Sequence, residues 1–138
     1  MTNLSVSLHG STAILTLDLP GEPVNKLNAA SYVADDIGSS GTTQDCAALA
    51  SAARDLCEWR NSLVGAAEVA GARNVGAMIG ARGCIVNAAP NVYLITIAWQ
   101  GLSPTAAPVE ACGKDAYGDD RQRRTVSMVV RVATLSAV

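Results

Sequence analysis

The sequence predicts an α+β fold in which one helix packs on an antiparallel β-sheet. Three features predict it. An apolar stripe with helical spacing runs through Leu49, Ala52, Leu56, Trp59 and Leu63. Two stretches with period-two alternation and many β-branched residues follow, over 91–99 and 125–133. Four cysteines, Cys46, Cys57, Cys84 and Cys112, supply an even number of thiols to staple these elements.

From the N-terminus, residues 4–19 alternate in the strand period. Leu4, Val6 and Leu8 share one side, and Ala13, Leu15, Leu17 and Leu19 continue the pattern after His9-Gly10-Ser11. This predicts a hairpin or a pair of edge strands. Pro20-Gly21-Glu22-Pro23 ends it, because proline has no N–H to give a ladder. The chain thus divides into an N-terminal strand segment, 1–28, and a globular head, 29–138. Residues 29–37 (AASYVADDI) predict a short helix, broken by Gly38-Ser39-Ser40-Gly41. Thr42-Thr43-Gln44-Asp45 then offers capping side chains.

The main helix carries Arg54, Asp55, Glu58, Asn61 and Ser62 on its other faces and should end near Gly65. Trp59 lies on its apolar stripe and is expected to be a core anchor, as is Trp99 at the end of a strand. Residues 65–81 are rich in glycine and alanine and lack a period, which predicts a loop. Three strands are then expected. The first runs from Gly83 to Ala88. In the second, Tyr93, Ile95, Ile97 and Trp99 share a face opposite Val92, Leu94, Thr96 and Ala98. In the third, Val126, Met128, Val130 and Val132 alternate with Thr125, Ser127, Val129 and Arg131.

Four cysteines allow three disulfide connectivities. The long connection from Gly101 to Arg124 is of a length that is usually functional or pinned, and a Cys84–Cys112 bond would pin it. A Cys46–Cys57 bond is compatible with a helix only if the helix starts late. In one continuous helix those residues would stand about 16 Å apart, against the roughly 7 Å that a disulfide tolerates. The pair therefore requires a start near Ser51, with Cys46 folded back. Four buried thiols are the alternative state.

Composition excludes several functions. With 49% apolar and 16% charged residues the chain is not disordered. The net charge of −2 lacks the basic bias of a nucleic-acid binder. The one basic run, Arg121-Gln122-Arg123-Arg124, follows Asp119-Asp120 and reads as a solvated strand entry. No apolar run approaches the roughly 20 residues of a membrane span. There is no C-x-x-C, and His9 is the sole histidine, so neither a zinc or redox motif nor a metal site is expected. A triad would depend on that same turn-borne His9. The adjacent acids Asp35-Asp36 and Asp119-Asp120 lack EF-hand spacing and read as solvent-facing. No catalytic residue and no cofactor site is expected.

Four stretches resemble PilV-type minor pilins of the type IV pilus: residues 46–59 (CAALASAARDLCEW), 83–86 (GCIV), 93–101 (YLITIAWQG) and 124–133 (RTVSMVVRVA). Their order and spacing carry the resemblance, which spans about 29–136. It implies a helix on an antiparallel sheet with a cysteine-bounded loop near the C-terminus. It also implies a structural role in pilus assembly and priming, adhesion or twitching motility rather than an enzyme. The implied partners are other minor pilins, the major pilin and a tip adhesin. The implied location is the cell envelope before assembly and the extracellular pilus after it. Membrane attachment would run through the family's long apolar N-terminal helix, for which no stretch of this sequence stands. A minor pseudopilin of type II secretion shares the plan. Residues 12–28 (TAILTLDLPGEPVNKLN) resemble the opening strands of crotonase (enoyl-CoA hydratase) domains, which implies an acyl-CoA-binding module as the rival reading. Nothing after Asn28 matches that family's oxyanion loop or acids, and no site residue is carried over.

Overall fold

The computed structural model describes residues 3–9, 12–18 and 29–133. Strands β1 (Asn3–His9) and β2 (Thr12–Asp18) pair antiparallel, from Asn3 opposite Asp18 to His9 opposite Thr12. The expected turn at Pro20–Pro23 and most of the crotonase-like stretch lie outside the described residues.

The head is α+β. Helix α1 (Ser51–Leu63) packs on a four-stranded antiparallel sheet whose spatial order is β3 (Ala34–Ile37), β6 (Arg82–Ala89), β7 (Val92–Gln100), β8 (Arg123–Arg131). Between α1 and β6 the chain makes a small ladder of β4 (Val69–Ala70) and β5 (Arg73–Asn74), where the sequence had predicted only loop.

Residues 29–37 do not form a helix. Ala29–Tyr32 is one 3₁₀ turn, and Ala34–Ile37 is an edge strand with a register shift against β6. The Tyr32 hydroxyl ties this turn to α1 by donating to Asp55 Oδ2 at 2.5 Å.

Helix α1 starts at Ser51, and the Cys46–Cys57 disulfide closes over its first turns. No side chain caps it: Ala50 occupies the N-cap, and Thr42–Asp45 lie outside the helix. Instead Asn61 reaches back from the third turn. Its Oδ1 accepts from the Gln44 N–H and its Nδ2 donates to the Gln44 carbonyl, both at 2.8 Å. The helix ends at Leu63, near Gly65 as expected, and Gly65 follows with a φ of +74°, a conformation that favours glycine. A Cβ there would also come within 2.7 Å of the Ala77 nitrogen.

The cross-strand register defines two faces. Gly83, Ile97 and Val126 stand in one row, and Ile85, Ile95 and Met128 in the next. This is the helix side, because the Trp59 ring and Leu63 lie directly over Gly83. The opposite face carries the rows Cys84–Thr96–Ser127 and Arg82–Ala98–Thr125, and it is covered by the segment that follows β7.

The tryptophans differ from their expected role. Trp59 and Trp99 are both half-buried, and neither is at the centre of the core. The most enclosed apolar cluster is Ala98, Cys84 and Cys112, with Tyr117 packed against it. Leu49 lies before α1 and is exposed, so the buried helix positions are Ala52, Cys57 and Leu63. Cys57 is buried through its bond to Cys46, whereas Trp59 and Leu63 face the sheet over Gly83.

Two outcomes follow from these contacts. A Cβ on Gly83 would sit 2.5 Å from Trp59, so Gly83→Ala should cost about 1–3 kcal/mol in urea unfolding, with Trp59→Leu in the same chain recovering part of it. The Tyr32 hydroxyl, held by Asp55 and by partial burial, is pushed up from 10.0 to about 12. The neutral phenol is thus favoured in the fold. Its contribution is complete below about pH 10 and is lost as pH rises toward 12. Tyr32→Phe should remove that step from the alkaline unfolding profile.

Candidate functional site

Two neighbouring features stand out on this head: a pinned loop over one sheet face, and an exposed apolar strip on β8. Both are organised by the start of β8.

Arg123 is the first residue of β8, opposite Gln100, and it is 1% exposed. A guanidinium offers five N–H donors in a fixed fork and accepts nothing, so such burial requires acceptors on every side. The loop supplies them. Nε donates to Asp120 Oδ1 at 2.6 Å and Nη2 to Asp120 Oδ2 at 2.8 Å, a bidentate pair. Nη2 also donates to the Pro108 carbonyl at 3.0 Å, and Nη1 to the carbonyls of Cys112 (3.1 Å) and Glu110. One side chain thereby fixes three carbonyls of the connection it terminates.

The acidic partner is held in turn. Asp119 caps the 3₁₀ turn Asp120–Gln122 by accepting from the Arg121 N–H. Its carboxylate also pairs with the exposed Arg121 side chain at 2.8 Å. The Arg123 guanidinium, with further help from the Asp115 N–H, holds the Asp120 carboxyl below the usual carboxylate range against a desolvation cost. The Arg121–Arg124 run is therefore not a uniformly solvated strand entry. Arg121 faces water, whereas Arg123 is internal.

The Cys84–Cys112 disulfide fastens the same loop to the sheet. Tyr117 makes the third attachment. Its hydroxyl donates to the Gly80 carbonyl at 2.9 Å, and its ring lies beneath the Arg82 guanidinium at 5.6 Å. Burial pushes the Tyr117 phenol up, with Arg82 opposing.

Rigid fixing leaves apolar groups outside. Leu102 is 89% exposed and Val109 is 96% exposed, each on the pinned loop. On β8, Val126 (56% exposed) and Met128 (61%) present apolar surface on the helix side, and Val129 does so on the other. Helix α1 packs against β6 and leaves this strip uncovered. Among the described residues β8 is also a sheet edge, with no proline or lysine between Thr125 and Val130 to blunt pairing.

The remaining candidates do not converge. Asp36 is exposed and pairs with Arg82 at 3.3 Å. His9 ends β1. Among the described residues no three histidine, cysteine, aspartate or glutamate side chains group as metal ligands, and no helix is long and apolar enough to cross a membrane.

Comparison with protein-family models, curated proteins and solved structures finds no match.

The lock makes definite predictions. Arg123→Met leaves Asp120 and three carbonyls without their donor and should cost about 3 kcal/mol. Arg123→Lys should not restore it, since a lysine cannot reproduce the fork. Urea unfolding together with limited proteolysis over 101–122 reads both. Asp120 contributes stability above its unfolded pKa, and this is lost as pH falls through its lower folded value. Asp120→Asn should flatten the acid limb of the stability profile. Removing Cys84 and Cys112 together should cost about 3 kcal/mol in the chain-entropy model. Alkylation of the unreduced, denatured chain should add no label, and alkylation after reduction should add four, one for each cysteine.

Proposed function

We propose that this chain is the head of a structural subunit in a pilus-type assembly, a minor pilin of PilV type that docks with other minor pilins and the major pilin and supports priming of the fibre, adhesion or twitching. The observation that carries this reading is the open β8 edge, where Val126, Met128 and Val129 stand exposed next to a loop fixed by Arg123 and a disulfide. A strand edge of this kind is an aggregation liability unless a partner covers it. A subunit that spends its working life between neighbours has such a partner. The two disulfides suit an oxidising compartment outside the cytosol. The four stretches resembling PilV-type pilins coincide with α1, β6, β7 and β8.

The test is a Val126→Glu, Met128→Glu variant expressed in the native host. The expected result is a chain that keeps its disulfides and circular dichroism but loses twitching and surface pili. Intact pili and motility would overturn the pilin role. Intact pili with failed protein secretion would transfer the role to a type II secretion pseudopilin. A melting temperature unmoved by crotonyl-CoA is also expected, since only a ligand of the native state raises it. A clear rise would favour the acyl-CoA reading instead.

A further inference from the structure

Helix α1 stops short of residues well suited to continue it. Ala47, Ala48, Leu49 and Ala50 precede Ser51, and alanine and leucine are among the strongest helix formers. Leu49 also continues the stripe of Ala52, Leu56, Trp59 and Leu63, yet it is 40% exposed. A helical start stands ahead of these residues. Asp45 Oδ1 accepts from the Ala47 N–H at 2.9 Å, as an N-cap side chain does, and the Leu49 N–H donates to the Cys46 carbonyl at 3.1 Å. The break falls on two residues. Ala50 is extended, with φ −133° and ψ 158°. Ser51 has φ +52°, a left-handed conformation that residues with a Cβ rarely adopt.

The Cys46–Cys57 bond accounts for the break. It holds the two Cα atoms 5.8 Å apart at a sequence separation of 11, whereas a continuous helix would place them about 16 Å apart. The other ties on the folded-back segment are exposed hydrogen bonds that water can replace: Gln44 with Asn61, and Arg60 Nη2 with Ser40. The chain also has the length to straighten. Gly38 lies beside Leu63, where a Cβ on it would stand 3.5 Å from the Leu63 Cβ. In a continuous helix Ala47 would stand about 24 Å from Leu63. The chain from Gly38 to Ala47 reaches about 30 Å when extended. The helix can therefore grow by about one turn, and the same tether stops it near Ala47.

We propose that the Cys46–Cys57 disulfide is a redox-controlled helix break: in the dithiol state Ala50 and Ser51 turn helical and α1 runs from near Ala47 to Leu63. Opening the bond takes two electrons and two protons from a dithiol, which leaves as its own disulfide, and puts one thiol on each cysteine. Cys57 lines an open groove with Asp36, Leu49, Leu56 and Arg60. Cys84 and Cys112 lie instead in the most enclosed cluster, beneath the pinned loop. A small dithiol thus meets Cys46–Cys57 first. Growth of the helix draws Gln44 away from Asn61 and reshapes the groove beside β3, so this surface differs between the two states. The break is independent of the pilin reading.

The test uses the full chain and its Cys46→Ser, Cys57→Ser variant, in which Cys84–Cys112 stays closed. NMR Cα shifts are expected to turn helical from Ala48 to Ser51 in the variant, with β6 to β8 unchanged. Ser51→Gly, with both disulfides present, should favour the broken form, since glycine suits the left-handed position and weakens a helix. Opening Cys46–Cys57 should then need a roughly fivefold or higher ratio of reduced to oxidised dithiothreitol, read by alkylation and intact mass. Shifts over Ala48–Ser51 that stay non-helical without the bond would overturn the proposal, as would a redox midpoint unmoved by Ser51→Gly. Collapse of the β6–β8 amide dispersion in the double serine variant would overturn it as well, because the bond would then hold the fold and not the break.

Discussion

The arrangement of this head depends on one buried cation. Arg123 sits at the point where a connection of more than twenty residues becomes the nine-residue edge strand β8, and its guanidinium is satisfied by the connection itself. An unpaired arginine at 1% exposure would be untenable. The loop must therefore close over it in one conformation, with the carbonyls of Pro108, Glu110 and Cys112 aimed inward. That closure places Cys112 beside Cys84 and Tyr117 over Gly80. The disulfide and the arginine act on the same loop by different means. The first limits the unfolded chain, while the second selects a geometry in the folded one.

Fixing the loop has a cost in exposed apolar surface. The carbonyls that point in toward Arg123 leave Val109 pointing out, and β8 follows with apolar side chains on both faces of an open edge. Helix α1 is thirteen residues long and centred on β6, so it covers only part of the sheet. Held near β6 by the Trp59–Gly83 contact, it leaves Val126 and Met128 of β8 exposed on the same face.

Much of the fold was legible because it rests on local periodicity. The strands β6 to β8 follow from alternation. The helix start at Ser51 follows from cysteine spacing, since Cys46 and Cys57 cannot share a helix and a disulfide together. What was not legible depends on partners distant in sequence. Asp35 and Asp36 are poor strand residues, yet Ala34–Ile37 pairs with β6 as a short edge on which both acids stay exposed and Asp36 reaches Arg82. Trp59 was on the apolar stripe, but the chain does not reveal that its ring would meet a glycine at the rim rather than a deep pocket. Arg123 was hidden most fully. Its ion-pair partner lies only three residues away, a visible signal, but its other acceptors are main-chain carbonyls eleven to fifteen residues distant, which carry no side-chain signature.

The same distinction bears on what the surface is for. A buried polar network specifies one loop conformation more than it adds net stability. Specification of that kind is of little use to a loop that only connects two strands. It matters when the loop's outward groups must be presented to a partner in a fixed array, because each side chain ordered in advance is entropy that association need not supply. Leu102 and Val109 are held in place by a frame they do not help to build, and Val126, Met128 and Val129 continue from that frame along the edge. The loop that Arg123 and the disulfide fix is also the one whose apolar groups face outward, and the docking surface proposed above rests on that coincidence.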